Sequence, residues 1–423
     1  MIIENPAEFE SFLEKYKESD CIVIPILSDI NLHPLENTLC AVYIKLIDGE
    51  EYILPFNHGE SMNLDLSLFD KLNSQCKKYV YDRKQLNHIV KWDNVIDINL
   101  QYYMEYNQPL STEDISTNSH DYFSRKYYKS KNINRVIPLL KHLELCRKLS
   151  NEYQKYIDLE VHQEYNDEII DNLTYIESAG LRHDDKMVYS EYNPYTSTGR
   201  PSNRFGGMNF AALNKSDESR KPFKSRFENG MLVEFDYDAY HLRLIGKLLN
   251  YSFPSGSVHE HMSKFYGCDY QESKNLSFRY LYGHIPQEVI QINPFFGKVH
   301  DYINKIWKLY KNQKFIQSDI YSKKIHRKNQ ADMNRNKIFN YMIQLMETEN
   351  NMKILTNLIP FMASYKSKLI LYSYDSFLFD FNLEDGVEFL KDVKKIIESN
   401  GLFPTKTSKG TNYHEMEDIT EKL

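Results

Sequence analysis

Met231–Asn250, MLVEFDYDAYHLRLIGKLLN, changes its periodicity midway. Met231, Leu232 and Val233 form an apolar run that reaches Asp236 through Phe235, and Leu242, Ile245 and Leu249 then recur at helical spacing. A strand that ends in a carboxylate and passes directly into a helix has two readings: the acid caps the helix, or it is fixed as a metal ligand. A second acid in a matching context separates them. Lys368–Phe381, KLILYSYDSFLFDF, reads as strand, turn, strand, with Asp375-Ser376 expected at the turn. Its Asp is either an ordinary turn former or a carboxylate held at the tip of a stiff hairpin. Two rigid strands presenting Asp236 and Asp375 to shared Mg²⁺ ions are what two-metal phosphoryl transfer requires.

Between these stretches lies Asp269–Pro286, DYQESKNLSFRYLYGHIP. Lys274, Phe278 and Tyr282 fall at i, i+4 and i+8 and so share one helix face. That face is either a core stripe with a solvated lysine or a surface that holds a triphosphate and stacks on a base. Upstream, Tyr195–Asn214 is polar and glycine-rich and carries Arg200 and Arg204, a loop composition suited to approaching a phosphate backbone.

Taken in order, Thr196-Ser197-Thr198-Gly199-Arg200, Asp236-Tyr237, Lys274-x3-Phe278-x3-Tyr282-Gly283 and Tyr374-Asp375-Ser376 resemble the motifs of family A, or DNA polymerase I-like, DNA polymerases, in a compact phage-type form. Asn340 and Gln344 resemble the family's Asn-x3-Gln helix, and Gly410-Thr411-Asn412-Tyr413 its closing Gly-x-Asn-Trp. The resemblance implies an α/β (α+β) chain: an RNase H-like exonuclease-type N-terminal domain, then a right-hand polymerase palm and fingers with little or no thumb. It implies that Asp236, Asp375 and the backbone carbonyl of Tyr237 hold two Mg²⁺ ions. Tyr237, His241, Lys274, Phe278 and Tyr282 would bind the nucleotide, and Arg200, Asn340 and Gln344 the DNA. The partners implied are primer-template DNA and dNTPs.

The 423 residues are enough for two or three domains. Residues 1–115 alternate as mixed α/β, with a helix at Ala7–Tyr16, strands at Cys21–Leu27, Leu39–Ile47 and Glu51–Pro55, and helices at Leu86–Val90 and Leu100–Met104. In this exonuclease-like domain Pro25 and Leu27 stand where the family has two metal-binding acids, while Tyr81-Asp82-Arg83 and Asp97 resemble later motifs. Neither Pro nor Leu offers a side-chain oxygen, so hydrolytic proofreading is expected to be lost. Residues 116–164 read as a basic helical connector and 165–423 as the polymerase domain, with palm at 165–250 and 335–423 and fingers at about 251–334.

The net charge of −7 conceals two basic strips. Residues 305–337 carry ten Lys and Arg against two Asp, and residues 125–148 carry eight against one Glu. Each is either a solvated helix face or a track for a phosphate backbone. Five cysteines without a CxxC pair fit neither a zinc site nor a disulfide framework. No apolar run has the length of a membrane span or signal peptide, so the chain is expected in the cytoplasm, that of a host if it is viral.

Several positions depart from the family. Gly180 and Thr196 are 16 apart, which leaves little room for a thumb and implies weak grip on duplex, or a processivity partner that replaces it. Asp236 and Lys274 are 38 apart, a shortened fingers connection in which His259 and His261 lie near a phosphate-contacting histidine. Tyr270 replaces an Arg on the nucleotide helix, with Lys264 or Arg279 as substitutes. His241 stands where the family closes off the ribose 2′ position with a Glu. Ser376 follows the catalytic Asp, as in single-subunit phage RNA polymerases. An RNA-synthesising enzyme and a silent DNA-binding homologue therefore remain as alternatives.

Overall fold

The computed structural model describes residues 1–29, 32–112, 115, 133–159, 163–205, 213, 217–254, 256–318, 320–329 and 332–423. These form two compact units, Met1–Thr174 and Tyr175–Leu423. Among the described residues no helix is long and apolar enough to cross a membrane.

The first unit is built on a five-stranded sheet in the order β3-β2-β1-β4-β5. Its strands are β1 Cys21–Leu27, β2 Leu39–Leu46, β3 Glu51–Pro55, β4 Lys78–Val80 and β5 Val95–Asp97. The first three pair antiparallel, and β4 and β5 add parallel. All eight residues of β2 are buried, as expected of a strand covered on both faces. On one side, helix α1 (Pro6–Tyr16) packs Phe9, Phe12, Leu13 and Tyr16 against Val23, Val42 and Ile44. On the other, the helix Leu139–Tyr153 packs Leu139, Leu143 and Cys146 against Ile26, Ala41 and Tyr43. The strands and the helix at Ile98–Tyr106 lie where the alternation places them. The expected helix at Leu86–Val90 runs instead from Arg83 to Asn87, because Asp82 caps it by accepting the Gln85 N–H at 2.9 Å.

Pro25 and Leu27 lie within β1, opposite Val42 and Leu39. The two remaining acids at this edge are engaged by backbone. Asp97 is buried and accepts the Leu100 and Arg83 N–H groups, each at 2.8 Å. Burial, reinforced by the nearby Asp82 carboxylate, outweighs those bonds and raises the Asp97 carboxyl to about 7. Of the basic strip at 125–148, Arg125, Lys126, Lys129 and Lys131 lie outside the described residues.

In the second unit the short strands β6 Leu181–His183, β7 Lys186–Val188, β8 Ser190–Asn193, β9 Ser202–Phe205 and β10 Phe223–Lys224 and the hairpin β12 Phe315–Gln317/β13 Lys324–His326 accompany a central five-stranded antiparallel sheet, β14-β15-β11-β16-β17. Its strands are β11 Gly230–Tyr237, β14 Lys368–Ser373, β15 Ser376–Asn382, β16 Thr405–Gly410 and β17 Glu417–Asp418. Leu232, Val233 and Phe235 on β11 and Phe377, Leu378 and Phe379 on β15 are buried and anchor the two acid-bearing strands. Helix Tyr240–Leu248 follows β11 at once. Together with helices Val258–Tyr266, Tyr270–Tyr282, Pro294–Asn312 and Arg335–Met362 it forms one apolar cluster that includes Leu242, Met262, Leu281, Phe296 and Ile343. Between Gly180 and Thr196 there is no helix; the short strands Leu181–His183, Lys186–Val188 and Ser190–Asn193 occupy that interval. In the strip 305–337, Lys305, Lys308 and Lys311 lie on helix Pro294–Asn312 and Lys324 on the hairpin Phe315–Gln317/Lys324–His326. Lys323 differs: it is fully buried, and burial lowers its amine to about 7 despite the neighbouring Glu349.

Candidate active site

The ladder brings the two acids together. Asp236 lies opposite Ser376 on β15, and the Tyr237 N–H donates to the Asp375 carbonyl at 2.9 Å. The hairpin turn is Tyr374-Asp375, one residue earlier than expected, because Ser373 already pairs with Ser376. Both acid-bearing turns hold a non-glycine residue in the left-handed region: Ala239 at φ +53° and Tyr374 at φ +60°. Each costs about 1–2 kcal/mol, and such strain persists only where tertiary contacts impose it.

Those contacts come from one helix face. On Arg335–Met362, the polar residues Asn340, Gln344, Glu347 and Asn351 recur at i, i+4, i+7 and i+11. Asn351 donates to the Tyr374 carbonyl at 2.6 Å and to the Tyr372 hydroxyl at 3.0 Å, and its Oδ1 accepts the Tyr240 hydroxyl at 2.7 Å. One amide thus ties the hairpin turn to the helix that follows Asp236. Glu347 is completely buried and faces the Arg200 guanidinium, Nε at 2.8 Å, and the His241 imidazole, Nε2 at 3.1 Å. The Arg200 guanidinium also stacks on the Tyr374 ring, 3.7 Å from its centroid. His241 Nδ1 meets the Tyr282 hydroxyl, and the Tyr282 carbonyl accepts from Asn340 Nδ2 at 3.2 Å. Gln344 Oε1 accepts the Thr198 hydroxyl at 3.2 Å. The Phe278 and Tyr282 rings lie parallel, 6.1 Å apart.

All ten residues singled out in the sequence line one cavity of about 540 Å³: Asp236 and Asp375 with Tyr237; His241, Lys274, Phe278 and Tyr282; Arg200, Asn340 and Gln344. Sequence reasoning missed Glu347 and Asn351. Their signal was present, since they continue the helical spacing of Asn340 and Gln344. It also missed Lys406, which lines the cavity from β16, directly opposite Asp236 in the ladder. Lys264 and Arg279 do not line it, nor does His261; His259 does. Burial holds the His259 imidazole down to about 4, with Lys274 and Lys406 adding to the effect, so it is neutral at pH 7.

The electrostatics suit a cation. Burial raises the Asp375 carboxyl above its ordinary range and the Glu347 carboxylate adds to this, while the backbone N–H of Asp375 itself, Arg200 and His241 only partly oppose it. Asp236 near the end of β11 and Asp375 in the adjoining turn, the latter desolvated beside another buried acid, form a hard-oxygen donor set of the kind that divalent cations take.

No family model matches the sequence, and no curated protein matches it. Solved structures do match the fold. Among them is the POL domain of Pol1 from M. smegmatis in complex with DNA primer-template and dNTP, with a TM-score of 0.72 over 97% of this chain and 98% of that one, at 13% identity. The chain therefore shares the α/β fold of that POL domain, with a five-stranded mixed sheet in its first unit and a five-stranded antiparallel sheet in its second.

Proposed function

We propose that this chain is a template-directed DNA polymerase that transfers nucleotides from dNTPs to a primer 3′-hydroxyl. The observation that carries the reading is the convergence of Asp236, Asp375 and the nucleotide-helix face Lys274/Phe278/Tyr282 on one cavity. Asp236, Asp375 and the Tyr237 carbonyl would hold two Mg²⁺ ions, which when bound activate the primer hydroxyl and neutralise the triphosphate and leaving pyrophosphate. Lys274 supplies charge to the phosphates. Phe278 and Tyr282 form the apolar wall against which the incoming base packs. Arg200, Asn340 and Gln344, which line the same cavity, would test groove atoms common to every correct pair by geometry. The arrangement Glu347–His241–Tyr282 buttresses the wall next to the nucleotide sugar.

On this reading the palm comprises 165–250 and 335–423, the fingers about 251–334, and 116–164 a connector. Residues 1–115 keep an exonuclease-like fold without proofreading, which is supported by Pro25 and Leu27 in β1 and by the capping roles of Asp82 and Asp97. With no helix between Gly180 and Thr196 to serve as a thumb and add backbone contacts, processivity is low unless a partner supplies the grip.

The deciding experiment is primer extension by the purified chain in Mg²⁺, run in parallel with dNTPs and rNTPs. Template-dependent extension with dNTPs is expected, with no trimming of the 3′ end. Extension with rNTPs alone would replace this reading by the RNA-synthesising one, to which His241 and Ser376 point.

A further inference from the structure

The charges around the cavity do not all serve a nucleotide. Arg200 is committed to the buried Glu347, and His241 lies between Glu347 and Tyr282. Arg243, at the start of the same helix, pairs with Asp238 at 3.2 Å and also donates to the Gly256 carbonyl. The buried His259 ring packs edge-on against Tyr270, 5.8 Å between centroids, so neither supplies a positive charge. Two amines are left, Lys274 and Lys406. The Lys406 side chain is 58% exposed, and its nearest acid, Asp238, lies only at 3.8 Å. It stands directly opposite Asp236 in an antiparallel ladder, where facing side chains share one surface of the sheet. A loosely held lysine beside a metal-binding acid can exchange a weak ion pair for a stronger contact with phosphate oxygens.

We propose that Lys406 is the second phosphate-binding cation of this site, engaging the triphosphate of the incoming nucleotide together with Lys274 and taking the part that Tyr270 and His259 cannot. This rests on the polymerase reading for the identity of the nucleotide, but not for the contact itself.

The test uses the full chain and two readouts. The first is titration calorimetry with inorganic tripolyphosphate in Mg²⁺. Lys406→Ala is expected to weaken binding about tenfold or more, Lys406→Arg to stay within about threefold, and Lys247→Ala, outside the cavity, to bind as the parent does. The second is steady-state primer extension, in which Lys406→Ala raises the dNTP KM by a similar factor and changes kcat less than about threefold. Unaltered tripolyphosphate affinity in Lys406→Ala, or a fall in kcat with no change in affinity, would overturn the proposal, as would a parent chain that does not bind tripolyphosphate. Lys406-dependent binding in a chain that does not extend primers would uphold the contact and sink the polymerase reading.

Discussion

The two sheets of this chain place aspartates at comparable positions, at or just past the ends of strands, and use them in opposite ways. In the first unit Asp82 and Asp97 are bound to backbone: Asp82 caps the helix after β4, and Asp97 accepts two N–H groups after β5. In the second, the helix that follows Asp236 starts at Tyr240 behind Ala239, with no side-chain cap at all. Capping is worth about 1 kcal/mol, and here it is forgone while an acid three residues earlier faces a cavity. A carboxylate that caps a helix stabilises its own loop; one that lines a cavity can also meet a ligand. The same residue type, read in sequence, does not reveal which.

The largest expected contrast is catalytic. Asp236→Asn and Asp375→Asn should each lower the rate of primer extension by about 10³-fold or more, the equivalent of several kcal/mol, while the melting temperature moves little. Retained extension in either variant would break the comparison. Next comes Glu347→Ala, which leaves Arg200 without its buried counter-charge and His241 without its carboxylate partner. A loss of about 3–5 kcal/mol in denaturant unfolding is expected, more than for any surface carboxylate. In the first unit, Asp97→Ala should cost about 1–3 kcal/mol for its two abandoned N–H groups and leave the kinetics of any purified folded material unchanged.

A last contrast separates the units by pH. The Asp97 carboxyl, raised to about 7, contributes stability that is fully present below its unfolded value near 3.8 and is lost as pH rises through 7. The His259 imidazole, depressed to about 4, contributes stability present above its unfolded value near 6.5 and lost as pH falls through 4, on the order of 2–3 kcal/mol. Amide hydrogen exchange followed separately in 1–174 and 175–423 should therefore show opposite pH trends. Parallel trends would mean that other groups dominate.

Most of the scaffold was legible from periodicity. β1, β3 and the hairpin Lys368–Phe381 fall where apolar alternation puts them, because their burial depends on local pattern. The cavity's ten residues were legible from ordered motifs, though only by likeness. What escaped had physical reasons. β16 reads TKTSKG, too polar to suggest a strand, and becomes one only by pairing with β11 some 170 positions earlier, so Lys406 could not be placed. Glu347 and Asn351 look like the solvated face of an amphipathic helix, and their burial follows from what the Arg200 loop and the two acid turns bring to them. Lys323 was read as part of a basic surface because burial of a lysine leaves no mark in its neighbours.

The Tyr374 turn has a consequence for how the site assembles. A tyrosine at φ +60° disfavours this turn in any isolated hairpin, and the contacts that offset it arrive from Asn351 and from Arg200, the latter 174 positions away in the chain. The separation of the two acids thus depends on the long helix as well as on the ladder of the strands that carry them. A synthetic peptide of 368–381 should close through a different turn, and backbone couplings at Tyr374 measured by NMR would register it. Residues far from any nucleotide then hold a veto over catalysis: loosening the helix face releases both turns at once.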